Sequence, residues 1–157
     1  MGKRILASDV ATYFLLSAKK EDKKISNEKL QKLVYYAQAW TLALTEKPLF
    51  SEEIEAWIHG PVIPSLFRQF KKYGDKPISL VGLTLKKGSL WDNDILEEVW
   101  RIYGKYDANY LEILTHQEDP WLYTRDEMEF EESSTAEITH ESMRDYYRMK
   151  LGRDSYF

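Results

Sequence analysis

Three histidines and two clusters of acidic residues are the side chains of this 157-residue chain best suited to chemistry at neutral pH. His116, Glu118 and Asp119 stand close together, and an imidazole with two carboxylates could hold a divalent metal if another element supplied further ligands. Neighbouring residues of a helix point to different sides, however, so this trio converges poorly. We expect Asp119, which precedes Pro120, to end a helix and His116 to act as a cation near its C-terminus.

The second acidic cluster runs from Ser51 to Glu55. Glu53 and Glu55 would share one face of an extended segment, as a general acid and base pair requires. A solvated strand edge, kept from pairing with other chains by its charges, is the better explanation of this cluster.

The usual signatures of enzymes are missing from the sequence. It contains no Walker loop, dinucleotide-binding glycine loop, Gly-x-Ser-x-Gly elbow or His-Glu-x-x-His motif, and its seven glycines are scattered. It also contains no cysteine, which excludes disulfides, thiol catalysis and cysteine-ligated zinc or iron–sulfur sites. We therefore predict a protein that is not an enzyme, with no catalytic, cofactor-binding or metal-binding residues.

The composition is that of one ordinary globular domain, with 43% hydrophobic and 31% charged residues. No linker or internal repeat divides the chain, so we expect a single domain over residues 1–157. The N-terminus lacks the apolar segment of a signal peptide, and no apolar run approaches the ~20 residues that span a bilayer. These features predict a cytoplasmic protein with no membrane partner.

Hydrophobic spacing predicts about six helices, which must position any functional residues. The strongest helix is capped by Ser26 or Asn27, carries apolar residues through Leu44 and ends before Pro48. The others are a helix capped by Ser8 or Asp9 and running to about Lys20, one from Val62 to Tyr73, one capped by Asp92 or Asn93, one capped by Asp107, and a terminal one capped by Thr139.

The segments between these helices leave room for little β structure. Residues from Phe50 to Ile58 form either a short strand or an irregular extended segment, and His59-Gly60-Pro61 is expected to break any regular element. One further strand fits between Leu80 and Leu85. The fold prediction is therefore a mainly α protein, a single compact helical domain with at most a small β element.

Charge is distributed unevenly along the chain. Residues 1–90 carry 15 basic and 9 acidic residues, whereas the remainder carries 7 and 17. The basic part suggests a regulator that binds nucleic acid, but the helix after Ser26 is too apolar on too many sides to lie in a DNA groove, so we do not expect nucleic acid as a partner. Residues 126–137 contain acids and no base, and this acidic segment is either a solvated loop or a docking surface for a basic partner.

Aromatic residues make up 14% of the chain, with five Trp and eleven Tyr. Some of them must fill the core, but Tyr and Trp also anchor protein interfaces at low entropic cost. The composition therefore favours a protein–protein interaction module.

Two runs of sequence, in their order and spacing, resemble a known family. The first, residues 30–40, reads LQKLVYYAQAW, and the second, residues 54–64, reads IEAWIHGPVIP, with PLF at residues 48–50 between them. They resemble the Panacea domain, the SocA-like antitoxin family, whose members are also described as phage-associated proteins. The likeness extends to the segments Leu114-Thr115-His116, Pro120-Trp121 and Tyr146-Tyr147, the last preceded by Ile138.

The resemblance implies a mainly helical antitoxin of a toxin–antitoxin module, of the kind often encoded on phages and mobile elements. Such a protein would neutralise a cognate toxin by direct binding, and delivery of the toxin to a ClpXP-type protease is a second mechanism that the resemblance implies. The alternative from the charge pattern is a small nucleic-acid-binding regulator of a phage or mobile element.

The predicted partner-binding residues form two groups, namely His59, Gly60, Pro61 and Trp121 in the shared runs, and Glu129, Glu131 and Glu132 in the acidic segment. Gly60 and Pro61 also have a structural explanation, because glycine suits a turn between strand and helix and proline suits a helix start. Trp121 likewise has two explanations, contact with a partner or packing in the core. The three glutamates are predicted to meet a basic toxin.

Overall fold

The computed structural model describes residues 4–85, 88–126, 128–129 and 132–153. The helices within them are α1 (Ala7–Lys20), α2 (Asn27–Thr45), α3 (Pro64–Phe70), α4 (Asp94–Tyr103), α5 (Ala108–His116), α6 (Asp119–Thr124) and α7 (His140–Arg153). The remaining elements are two short 3-10 helices, Lys71–Tyr73 and Gly88–Asp92, and two strands, β1 (Glu55–Trp57) and β2 (Gly60–Val62). The prediction of a mainly helical fold is confirmed, with one α-helix more in the described residues than the six expected.

Helix α2 is the centre of the fold. Every residue from Leu30 to Ala43 is buried, as the apolar pattern of this helix predicted. The helix packs against α1, α3, α4, α5 and α7 and against β2. Lys32 is the one charged residue between Leu30 and Leu44, so this central position also buries a lysine.

Local capping signals located most helix starts correctly. Ser26 caps α2 through its hydroxyl, and the side chains of Asn93 and Asp107 cap α4 and α5 in the same way. The Thr139 hydroxyl accepts a backbone amide from the first turn of α7 at 3.1 Å. Each of these caps depends on residues a few positions apart, which is why the sequence predicts them well.

Two helix starts differ from the prediction. Helix α1 is preceded by Leu6 rather than by Ser8 or Asp9, and the Asp9 carboxylate reaches back to accept the Leu6 amide at 2.8 Å. Asp119 does not end a helix, because α5 has already ended at His116. Asp119 instead opens α6, where Pro120 occupies the first turn and needs no amide donor.

The prediction that His59-Gly60-Pro61 breaks regular structure is wrong. Strands β1 and β2 form an antiparallel hairpin with the pairs Glu55–Val62, Ala56–Pro61 and Trp57–Gly60. Proline fits because Ala56 directs its amide away from β2, to the Ala136 carbonyl at 2.9 Å. Gly60 adopts a φ of +117°, which lets the chain turn and still pair. The segment from Leu80 to Leu85, where a strand was expected, contains none.

Buried polar side chains lie between α2, α6 and α7, and we name Tyr35, Tyr36, Glu118 and Tyr147 the tyrosine–carboxyl network. The hydroxyls of Tyr36 and Tyr147 donate to Glu118 Oε1 at 2.7 and 2.8 Å, and the Tyr35 and Tyr147 hydroxyl oxygens lie 3.0 Å apart. Burial raises the pKa of Glu118 to about 7 and the pKa values of the three tyrosines well above their ordinary value of 10.0. These hydroxyls replace water at Oε1 of a carboxyl group that the fold has buried, whereas Oε2 has no hydrogen-bond partner among the described residues.

Candidate functional site

The hairpin of β1 and β2 forms the centre of the candidate site. Trp121 in α6 donates its indole N–H to the Trp57 carbonyl at 2.8 Å, and Arg125 donates to the Ala56 carbonyl at 2.9 Å. Trp121 is 2% exposed and stacks on His116 with ring centroids 3.9 Å apart. Helix α6 and the residue that follows it therefore fix the hairpin from the core side.

The end of the acidic segment runs along the free edge of β1. The Ala136 carbonyl accepts the Ala56 amide at 2.9 Å, and the Ile138 amide donates to the Ile54 carbonyl at 2.8 Å. These bonds hold residues 133–135 beside the hairpin, although they come from a distant part of the sequence.

A cavity of about 490 Å³ opens at this junction, and we name it the Lys32 pocket. Its apolar walls are formed by Trp57, Ile58, Val62 and Phe67. Its polar lining comes from Glu28, Gln31 and Lys32 of α2, from His59 in the hairpin turn and from residues 133–135. A mostly apolar cavity of this size with a few polar groups is typical of ligand-binding sites.

Lys32 is the buried charge of this pocket. It is 1% exposed, and its ammonium group forms no hydrogen bond or ion pair with a described residue. Burial lowers the pKa of Lys32, and the carboxylates of Glu28 and Glu112 oppose this shift from a greater distance. The side chain runs against Gly60, where a β-carbon would lie 3.1 Å from Lys32 Cε. Glycine at position 60 therefore serves both the turn and the space that the lysine occupies.

The predicted contacts in the shared runs differ in their exposure. The His59 side chain is 67% exposed, and its Nδ1 lies 3.3 Å from Glu112 Oε2. Gly60, Pro61 and Trp121 are buried and shape the hairpin from which His59 projects. Direct contact of these four residues with a partner stays a prediction.

The acidic segment presents carboxylates to solvent. Glu129 and Glu132 are exposed, whereas Glu131 lies outside the described residues. The Arg125 guanidinium donates to the backbone carbonyl of Glu132, so this base anchors the segment through its main chain. The role of the three glutamates in binding a partner also stays a prediction.

The trio of His116, Glu118 and Asp119 does not converge. His116 stacks on Trp121, Glu118 turns into the tyrosine–carboxyl network, and Asp119 lies in the first turn of α6. Within the described ranges, no group of three His, Asp or Glu side chains is arranged to hold a metal ion.

The acids between Ser51 and Glu55 are likewise separated by the fold. Glu52 accepts the Ala7 amide at 2.9 Å and so ties this segment to α1. Glu55 lies in β1 and accepts the Trp57 indole N–H at 2.9 Å, whereas Glu53 precedes the strand and is exposed. Two of the acids therefore have local structural partners.

Sequence reasoning missed Lys32 and Phe67 as parts of a site. The sequence does contain a signal for Lys32. It is the one charged residue between Leu30 and Leu44, and a charged residue in such a largely apolar stretch is buried together with the helix. Phe67 gave no such signal, since its spacing in α3 is that of an ordinary core residue. Only the packing of α3 beside the hairpin places its ring 5.1 Å from that of Trp57.

The model of the family described as antitoxin SocA-like, Panacea domain, matches residues 30–122. The chain belongs to this family. It is also 35% identical over 127 residues to Antitoxin SocA of Caulobacter vibrioides (strain NA1000 / CB15N), which covers 73% of this chain and 68% of that protein. No solved structure matches the chain. Membership of the Panacea family supports an antitoxin role with a toxin as partner. It also suggests a role that is not enzymatic.

The residues that match the Panacea family include a large part of the pocket lining. The first run of the resemblance, residues 30–40, supplies Lys32, and the second run, residues 54–64, supplies the hairpin walls of the pocket. The acidic segment lies beyond the matched residues. None of the helices in the described part of the chain has the length and hydropathy required to cross a membrane.

Proposed function

We propose that this chain neutralises a cognate toxin by binding it directly, through the face that carries the Lys32 pocket and the acidic segment. The observation that carries the proposal is that the two runs resembling the Panacea family, one in α2 and one containing the β-hairpin, meet at one pocket. The antitoxin role of the family gives this pocket a kind of partner.

The face has the properties of a preformed protein-binding surface. Its hairpin is held by side-chain bonds from Trp121 and Arg125 and by backbone bonds to residues 136–138, so little conformational entropy is lost on binding. His59 lines the pocket and is exposed, and the exposed Glu132 directly precedes the lining residue Ser133. An apolar centre with a polar rim is the usual anatomy of a protein interface.

Co-expression with the product of the neighbouring gene tests the proposal. That product should stop growth when expressed alone, growth should return when this chain is present, and the two proteins should co-purify in a fixed ratio. A product that is harmless alone, or that remains toxic beside this chain, would contradict the proposal.

The contribution of the acidic segment can be measured separately. Charge reversal at Glu129, Glu131 and Glu132 should slow association with the toxin and weaken its dependence on salt, because exposed charges act mainly on the association rate. A matched control reverses Asp75, Asp92 and Glu97, which are exposed elsewhere. Equal association rates for the two triple variants would assign the acidic segment to solubility alone.

Two other outcomes have distinct readouts. Delivery to a ClpXP-type protease would lower the amount of toxin in cells, and removal of that protease would restore it, whereas neutralisation by binding alone leaves toxin levels unchanged. A nucleic-acid-binding regulator would instead shift DNA at low salt, with an affinity that falls steeply as salt increases.

A further inference from the structure

We propose that the Lys32 pocket binds the C-terminal carboxylate of a polypeptide that ends in an apolar residue. The inference rests on the proposed function, which makes the toxin the polypeptide expected at this face. It adds the chemical group that the pocket recognises.

Among the described residues, Lys32 has no partner for its charge. A lysine residue that is 1% exposed and whose ammonium group forms no hydrogen bond with a described residue is costly for the folded protein. The nearest carboxylates do not relieve it: Glu28 and Glu112 act on Lys32 only from beyond ion-pair distance, and Glu112 already lies 3.3 Å from the His59 ring nitrogen. A carboxylate that enters the pocket would supply the missing partner through charge-assisted hydrogen bonds.

Two of the polar side chains in the lining are already hydrogen-bonded within the protein. The Gln31 side-chain oxygen accepts the Ile63 amide at 3.0 Å, and its amide group donates to Asn27 at 2.9 Å. The Ser134 hydroxyl accepts the Ala136 amide at 3.0 Å. Lys32 is the one lysine or arginine among the described lining residues, so it balances the single charge of a carboxylate better than the larger charge of a phosphate, and the remaining wall can bind an apolar group.

The pocket combines a positive charge with an apolar wall. Trp57, Val62 and Phe67 line the same cavity as Lys32, so the ligand must carry its negative charge and its apolar group close together. A C-terminal Phe or Leu residue does so, because its carboxylate and its side chain are attached to the same carbon atom. An Asp or Glu side chain within a polypeptide has the charge without the apolar branch.

Short peptides test the inference without the toxin. The probes are fluorescently labelled Gly-Gly-Gly-Phe and Gly-Gly-Gly-Leu, each with a free C-terminal carboxylate or with a C-terminal amide, and binding is followed by fluorescence polarisation. The wild-type chain should bind the free acids, and amidation or the substitution Lys32→Met should weaken binding by about tenfold or more. The matched control is Lys29→Met, which removes the same charge from the same helix at a residue that instead donates to the Gly104 carbonyl at 2.6 Å.

The outcomes separate the parts of the inference. Equal binding of acid and amide by the wild-type chain would overturn the role of the carboxylate, and this comparison is independent of how any variant folds. Equal binding by Lys32→Met and wild type would overturn the role of Lys32, as would the absence of binding for both free acids. The small acid 3-phenylpropionate is tested as a competitor of the labelled peptides. If its affinity equals that of the peptide, the pocket recognises a small free acid, and the inference that its ligand is a polypeptide is overturned.

Toxin co-expression distinguishes failure of this inference from failure of the proposed function. Neutralisation by a Lys32→Met variant that no longer binds peptide would overturn the toxin as the ligand of the pocket and leave direct neutralisation of the toxin intact. Peptide binding by a wild-type chain that neutralises no neighbouring product would overturn the proposed function and remove the toxin as the expected polypeptide.

Discussion

The Lys32 pocket and the tyrosine–carboxyl network are two buried ionisable sites on the same central helix, and they are built in opposite ways. In the network, two tyrosine hydroxyls donate to Glu118 at 2.7 and 2.8 Å, and the surrounding space is filled by aromatic rings. In the pocket, Lys32 meets no acceptor among the described residues and faces a cavity of about 490 Å³.

This difference is consistent with a structural role for the network and with the binding role that we propose for the pocket. A buried ionisable group that has its hydrogen-bond partners helps to specify one packing of the core. A buried charge without partners costs stability, and its presence beside a cavity supports the proposal that a ligand supplies the missing partner. Four substitutions test this contrast.

The largest effect is expected at Trp121, because α6 joins the two regions. Trp121→Ala should lower the free energy of unfolding by about 3 to 5 kcal/mol, since it leaves a cavity and removes the hydrogen bond to Trp57. Urea denaturation measures the loss. Leu122→Ala, an exposed position on the same helix, is the control and should change stability by less than about 0.5 kcal/mol. Equal effects of the two substitutions would show that α6 does not support the hairpin.

Glu118→Gln should make stability less sensitive to pH. The pKa of Glu118 is raised from 4.5 to about 7, so between these values the unfolded carboxyl loses its proton while the folded one keeps it. The wild type should therefore lose on the order of 3 kcal/mol of stability from pH 4.5 to pH 7 and little more above it. Glutamine keeps an oxygen for the tyrosine hydroxyls and should not show this loss. Parallel stability curves for the two proteins would contradict a buried, pH-dependent carboxyl.

Tyr147→Phe should cost about 1 to 3 kcal/mol, because it removes one donor from Glu118 and one partner from Tyr35. Thermal unfolding at pH 7 gives the difference. Tyr123→Phe removes a hydroxyl from an exposed tyrosine and serves as the control. If both variants melt like the wild type, the network contributes nothing measurable to the core.

Lys32→Met should have the smallest effect and the opposite sign, a gain of about 1 kcal/mol near pH 7, because an unpaired buried charge is replaced by an apolar side chain of similar length. The pKa of Lys32 is lowered, so the folded chain holds this proton less readily than the unfolded chain does. The cost is therefore largest below the folded pKa and disappears as the pH rises through the ordinary lysine value of 10.5. Chemical denaturation at pH 7 and pH 10 compares the two proteins, and a clear loss of stability in Lys32→Met at pH 7 would show that the lysine has a structural role.

Prediction from sequence succeeded where the determining interactions are local. The caps at Ser26, Asn93 and Asp107 connect residues three positions apart, and the apolar pattern of α2 correctly predicted a buried helix. It failed at Gly60 and Pro61, where two residues that usually interrupt strands are accommodated by a turn and by an amide that points to Ala136.

The sequence by itself determined the helical class, the central helix, the family and the presence of one lysine inside an apolar helix. Only the tertiary structure decided which buried charge has partners, because the hydroxyls around Glu118 come from α2 and α7 and the walls around Lys32 come from the hairpin, α3 and residues 133–135. Hydrophobic spacing describes which face of an element is buried. It carries no information on which other element covers that face, and the electrostatic environment of a buried group depends on that neighbour.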